Sequence, residues 1–135
     1  MPQHQRILVS DGSKYFDTSI WCMLIPEPEF EIVGLASSTN ETMHLAGVLT
    51  PDIILVDLSH SYTCGLQTVA VLHSTYPHIP IVTFMPISFA EYTRASLDAG
   101  ASACLTKSDM ADMLVQTLHH LTPAQTTVLQ DLRKA

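Results

Sequence analysis

The sequence predicts an α/β domain on an open, doubly wound parallel sheet of five strands, with helices covering both faces. Two observations carry that expectation. Five short β-like runs alternate strictly with five helix-like segments along 135 residues, and such alternation builds parallel sheets from βαβ units. The first, third and fourth runs are the most apolar, as strands buried on both faces must be, and belong at the centre. A chain of this length fits one domain with a core able to fold alone.

Arg6–Ser10 is the first run, and Asp11 follows it. Tyr15–Leu24 is the first helix, because Phe16, Ile20, Met23 and Leu24 share a face at helical spacing. Pro26-Glu27-Pro28-Glu29 is a surface turn before the strand Glu31–Ala36. Ser38-Thr39-Asn40 offers a helix start for Asn40–Val48, with Thr39 or Asn40 as the cap. Thr50-Pro51-Asp52 turns the chain into Ile53–Asp57, an apolar run that ends in an acid. Leu66–Thr75 places Leu66, Val69, Leu72 and His73 together, and Ile81–Met85 is the fourth strand. Phe89–Ala99 is the fourth helix, with Gly100 at the position beyond its end that favours glycine. Ala103–Leu105 and Asp109–Leu121 complete the alternation, the last with a stripe of Met110, Met113, Leu114, Leu118 and Leu121.

Composition removes several function classes. The chain is 47% hydrophobic but holds no apolar run long enough to span a bilayer, and no signal peptide is visible at its start. Three widely spaced cysteines, Cys22, Cys64 and Cys104, argue against a disulfide framework and point to a reducing cytoplasm. A net charge of −7 with six Lys and Arg repels a nucleic-acid backbone, so this chain alone is not expected to bind DNA.

In doubly wound sheets, ligands sit beyond the carboxyl ends of the strands. Asp11, Asp57 and Lys107 follow or close the first, third and fifth runs. Two carboxylates converging there repel each other, and a hard cation such as Mg²⁺, which keeps several waters, relieves the repulsion. A lysine neutralises the remaining charge or meets a phosphate. Asp57 thus reads as a metal-bound, chemically available carboxylate.

The stretches "RILVSDG", "PEPEFEIVGLASS", "LTPDIILVDLS", "GLQTV", "LDAGASACLTKSDM" and "LVQTLHHL" together resemble the receiver domain of bacterial two-component response regulators, closest to the NarL/FixJ type. The resemblance covers residues 5 to about 121 and implies a flavodoxin-like, CheY-like (βα)5 fold. It implies that Asp57 accepts a phosphoryl group from a sensor histidine kinase, and that Lys107 is the charge partner of that group. It implies Mg²⁺ ligands at Asp11, Asp57 and the backbone carbonyl of Ser59. Any enzymatic activity is then confined to self-phosphorylation and self-dephosphorylation at Asp57.

Three positions depart from the family pattern. Ser10 stands where an acid is usual, and losing such an outer partner costs roughly 10–100-fold in metal affinity. Met85 stands where a Thr or Ser closes the fourth strand. Thr83 points the same way two residues earlier, about 6–7 Å short. Cys104 stands where an aromatic switch residue is usual. The expected consequence is weak Mg²⁺ binding, phosphorylation that is weak or dispensable, and dimerisation as the output.

Residues 1–121 form the receiver domain on this reading. Residues 122–135, within "LTPAQTTVLQDLRKA", resemble the opening of a LuxR-type helix-turn-helix domain, with Thr122 as N-cap and Pro123 at the first helical position. They read either as the start of a truncated DNA-binding domain or as one extra helix on a stand-alone receiver. The stand-alone form would serve as a phosphorelay adaptor or phosphate sink. A Mg²⁺-dependent phosphotransfer enzyme on the same sheet is the remaining alternative, supported by no glycine-rich phosphate loop.

Other residues have bland readings. His119 and His120 diverge by about 100° on a helix, so they make no same-face metal pair, and His60 and Cys64 lie in the loop beside the site. Cys64 and Cys104 both read as flanking the crevice, with burial as small apolar groups the commoner role. Trp21 lies off the first helix's apolar stripe, so it either faces a protein interface or packs on the fifth helix or the tail. Trp21, His119, His120 and the tail offer surface for a homodimer.

Overall fold

A computed structural model describes residues 4–11, 14–59, 62–86 and 90–121, without the side chains of residues 14–17 and 62. The strands are β1 (Gln5–Ser10), β2 (Phe30–Ala36), β3 (Ile53–Asp57), β4 (Ile81–Met85) and β5 (Ala103–Thr106). The helices are α1 (Lys14–Leu24), α2 (Thr39–Leu49), α3 (Tyr62–Thr75), α4 (Ala90–Ala99) and α5 (Met110–His120). The strands pair in parallel in the order β2-β1-β3-β4-β5. This is the expected doubly wound (βα)5 sheet, and every residue of its central strand β3 and of β4 is buried. No helix among the described residues is long and apolar enough to cross a membrane.

Side chains alternate across a strand, and the two faces hold separate cores. Ile7, Val9, Ile53, Leu55, Val82 and Phe84 pack against Ile20 and Leu24 of α1 and Met110, Leu114 and Leu118 of α5. Leu8, Ile54, Val56, Ile81 and Met85 pack on the other face, against Ala46 of α2 and Val69 and Leu72 of α3. Fully burying a side chain of this size stabilises the fold by about 1.5–3 kcal/mol, so these layers fix where the strand ends lie.

Differences from the sequence expectation sit at element ends. Ser38 is the N-cap of α2, not Thr39 or Asn40, which are its first helical residues. The Ser38 hydroxyl accepts from Glu41 N–H at 3.1 Å, and the Glu41 carboxylate accepts from Ser37 N–H at 3.2 Å. Two exposed donors at the helix start are satisfied that way. α3 begins at Tyr62, four residues before Leu66, because Gly65 opens no loop there: a Cβ on it would lie 2.3 Å from Leu58. The glycine lets the first turn of the helix settle on the strand exit. In α5, Met113 is 40% exposed and leaves the predicted stripe, while Leu121 packs against the core.

Gly100 occupies its expected place, with φ +123°, its N–H donating to Leu97 and a Cβ there colliding with the His73 ring. The start of the fourth helix at Phe89, the Phe16 side chain, His60, and Thr122 and Pro123 within residues 122–135 lie outside the described residues.

Candidate functional site

The strand ends bring Asp11, Asp57 and Lys107 to one corner. Backbone bonds set the positions: Asp11 N–H donates to Ala36, Leu58 N–H to Phe84, and Lys107 N–H to Met85. The Asp57 side chain is fully buried, and its Oδ2 lies 3.2 Å from Lys107 Nζ. Its Oδ1 accepts from both the N–H of Ser59, at 3.1 Å, and the Ser59 hydroxyl, at 2.5 Å. Asp11, also buried, lines the same crevice beside the Asp57 carboxyl.

Burial works to raise the Asp57 pKa, but hydrogen bonds from Asp11 and Ser59 and the charge of Lys107 outweigh it. The carboxyl is held below its ordinary value and is ionised at neutral pH.

Two acid side chains keep contact only with a proton or a cation between them. The donor set therefore fits a hard cation that retains waters: two carboxylates and a nearby backbone carbonyl suit Mg²⁺ better than a metal that demands a full protein cage. No group of three or more His, Cys, Asp or Glu among the described residues forms such a cage. The crevice beside the acids, about 60 Å³, is lined by Ser10, Ser37, Ser38, Thr39, Thr68 and Cys64, and it has room for a few waters. Thr39 and Thr68 join across it at 2.6 Å.

The three altered positions have distinct fates. The Ser10 hydroxyl meets Thr42 at 2.7 Å, and Thr42 donates on to the Ser38 carbonyl, so Ser10 is tied into the start of α2. Met85 is buried with the α2–α4 face, and only its carbonyl reaches the site, through Lys107 N–H. Thr83 is fully buried, and its Oγ lies 2.7 Å from Cys104 Sγ. Thr83 pairs with Val56, and Asp57 pairs with Phe84, so the Thr83 hydroxyl and the Asp57 carboxylate lie on opposite faces of the sheet. Cys104 shares the Thr83 face and borders a separate cavity of about 390 Å³ with Met85, Thr93 and Thr106. The expectation that Cys104 flanks the acid crevice is therefore corrected, whereas Cys64 does line it.

The Ser59 hydroxyl, Thr42 and Thr68 escaped sequence reading. Ser59 had a signal: Asp-x-Ser at a strand exit favours a side chain bonding its own backbone two residues on. Elsewhere, Trp21 is 44% exposed and Ile25 72% exposed, beside Phe30. His119 reaches Glu29 at 3.2 Å and leans on the Phe30 ring.

The sheet order, the helices on both faces and the acids beyond the strand ends define a flavodoxin-like domain. The response regulator receiver domain matches residues 7–119, and the chain belongs to that family. It is 33% identical over 105 residues to a protein-glutamate methylesterase/protein-glutamine glutaminase of Saccharophagus degradans, covering 76% of this chain and 28% of that protein. It is 30% identical over 113 residues to the nitrate/nitrite response regulator protein NarL of Escherichia coli, covering 84% of this chain and 52% of that protein. The chain thus spans about a quarter to a half of these curated relatives. Among solved structures, a LuxR-family two-component response regulator from Aurantimonas superposes with a TM-score of 0.81 at 21% identity, covering 98% of this chain and 100% of that one. The isolated REC domain of RcsB from Salmonella enterica gives 0.79 at 16% identity, covering 88% of each. At such identities the superpositions speak for the fold alone.

Proposed function

We propose that this receiver domain serves a transcription regulator in which Asp57 keeps the chemistry of a phosphoacceptor while the coupling to the rest of the domain is weak. The observation that carries this reading is the buried Asp57 carboxylate, held between Asp11 and Lys107 at the strand ends. Asp11, Asp57 and the Ser59 carbonyl are the groups that would hold Mg²⁺, which would offset charge on the incoming phosphoryl group. Lys107 meets the same group as a point charge. A sensor histidine kinase is the donor, and the receiver domain itself works in the cytoplasm.

Dimerisation is the output on this reading. The exposed Trp21 and Ile25, with His119 nearby against Phe30 and Glu29, supply the apolar centre and polar rim that an interface needs, and His120 adds exposed surface on the same helix. DNA contact belongs to a helix-turn-helix domain that residues 122–135 introduce, since the −7 charge of this chain opposes DNA. The packing of Met85 and Cys104 also favours a second reading, a stand-alone receiver acting as a phosphate sink.

The test is to incubate the protein with phosphoramidate and Mg²⁺ and measure its intact mass. One added phosphoryl group is expected, absent in Asp57→Ala. No addition to the wild type, or an equal addition to the variant, sinks the phosphoacceptor reading. Light scattering at tens of micromolar should find a dimer without phosphorylation, and a monomer alone rejects that output.

A further inference from the structure

We propose that the cavity of about 390 Å³ at the edge of the sheet binds a small arylalkylamine, its ring against Met85, Cys104 and Met113 and its ammonium at Asp109 and Asp112. The cavity shares no residue with the acid crevice around Asp57, so the site stands whether or not Asp57 accepts a phosphoryl group.

β5 is an edge strand of the sheet, and α4 and α5 both pack on it. The cavity opens between them, bordered by Thr93 of α4 and by Asp109, Asp112 and Met113 at the start of α5. The small side chain of Cys104 leaves the space open. Its volume falls within the range of about 300–1,000 Å³ typical of small-molecule pockets. Met85 is buried, Cys104 half-buried and Met113 40% exposed, so sulfur runs from the depth of the cavity to its mouth. Thioethers adapt to irregular shapes and favour contact with the edges of aromatic rings.

The charge at the mouth has one sign. Asp109 and Asp112 are exposed and three positions apart, a spacing that makes them neighbours on a helix surface. No Lys, Arg or His borders the cavity. Asp109 holds the N-cap position of α5, where aspartate usually bonds the first turn, yet its side chain makes no capping bond. Its carboxylate is therefore available to a ligand. An anion is repelled there, and a neutral molecule gains no charge attraction. An alkylamine is protonated at neutral pH, and the hydroxyls of Thr93 and Thr106 can accept further bonds from its ammonium. A ligand seated there touches α4 and α5 at once, and it gives the ends of β4 and β5 an input that needs no phosphoryl group.

The experiment titrates the nitrogen-labelled protein with phenethylamine and follows amide NMR signals, with phenethyl alcohol as the neutral counterpart. Saturable shifts are expected at Thr93, Cys104, Thr106, Asp109, Asp112 and Met113. The alcohol should bind about three- to five-fold more weakly, the size of an exposed ion pair. That preference should vanish in the Asp109→Asn/Asp112→Asn double variant, which keeps the rest of the chain's negative charge. Cys104→Phe fills the cavity from the strand and Thr93→Phe from α4. Each should weaken binding of the amine at least about tenfold, the loss expected when a ring is no longer buried, and thermal melts show which variants keep the fold. Shifts still linear at about 20 mM amine, too weak for a built site, or shifts spread over other acidic surface, overturn the proposal and leave the cavity to a protein side chain. Equal binding of amine and alcohol overturns the choice of a cation. Wild-type affinity in a folded Phe variant overturns the location.

Discussion

Two corners at the carboxyl end of the same sheet differ in kind. At the β1–β3 corner, Asp11, Asp57, Ser59 and Lys107 form a connected polar group around one buried carboxylate. At the β4–β5 corner, Met85 is packed away, and the hydroxyl of Thr83 is spent on Cys104 across the sheet from Asp57. The helix over that second corner buries little: Ser96 is the buried residue of α4, while Tyr92 and Leu97 stay about half exposed. A ligand moves an equilibrium only through contacts that differ between two states. On the reading proposed above, the first corner carries the chemistry, and at the second the described residues offer Met85 and Cys104 in place of the groups that would relay it. Reaction and relay are separable on that proposal.

The largest expected effect strengthens the first corner. Ser10→Asp adds a carboxylate beside Asp11 and should raise Mg²⁺ affinity about 10–100-fold, the range seen for outer-shell partners. Isothermal titration calorimetry measures it. Unchanged affinity would mean that the tie of Ser10 to Thr42, rather than its missing charge, defines the position.

Met85→Thr attacks the second corner. A hydroxyl at the end of β4 would supply a donor to a phosphoryl mimic, and hydrogen bonds to charged groups contribute about 1.5–3 kcal/mol. In wild type, beryllofluoride with Mg²⁺ should shift amide NMR signals of Asp11, Asp57, Leu58, Ser59 and Lys107 only. The variant should bind the mimic about tenfold tighter, toward the low end of that range, and spread the shifts into α4 and β5. Broad shifts already present in wild type, and lost in Asp57→Ala, would collapse the distinction between the corners.

Lys107→Met should destabilise the domain by about 1 kcal/mol at pH 7, a charged hydrogen bond discounted for the solvent that reaches the lysine. The pH dependence has a definite sign. Asp57 is held below its ordinary value of 3.8 in the folded protein, so it contributes stability above that pH. The contribution vanishes as the pH falls through the lower folded value. Removing Lys107 removes one of the influences that lower the pKa. Urea midpoints of wild type and variant should differ at pH 7 and converge as the pH falls through the lowered folded value. A gap that persists in acid would assign the loss to packing of the lysine stem.

The fold was legible because its signals are additive over many residues. Ile53–Val56 and Ile81–Met85 are apolar without interruption, and the strands they form are the buried ones. The site was legible in its charges, because Asp11, Asp57 and Lys107 each follow or close a strand. What escaped depends on contacts between distant segments. Gly65 reads as a loop residue until Leu58 is seen beneath it. Ser10 reads as a missing acid until Thr42, itself bonded to the Ser38 carbonyl, is seen to engage its hydroxyl. The partner of Thr83 lies 21 positions away on β5, and no local spacing announces it.

The smallest expected effect decides whether Thr83 stands in for the absent donor at Met85. The two sit on the same side of β4, so a small slide of the strand could in principle bring the Thr83 hydroxyl forward. Its surroundings argue against that. Thr83 is fully buried, its pairing with Cys104 and Val56 is fixed by both neighbouring strands, and Asp57 lies on the other face. Thr83→Val keeps the shape of the side chain and removes a bond to sulfur, a weak partner, and a long one of 3.5 Å to the Ala103 carbonyl. The exchange should cost under about 1 kcal/mol, because the thiol left behind loses little by going unpaired. Chemical denaturation measures that. Loading with phosphoramidate should proceed at the wild-type rate. A tenfold slower loading with an unchanged melt would show the Thr83 hydroxyl reaching the phosphoryl group, and the second corner would then hold the donor that its packing conceals.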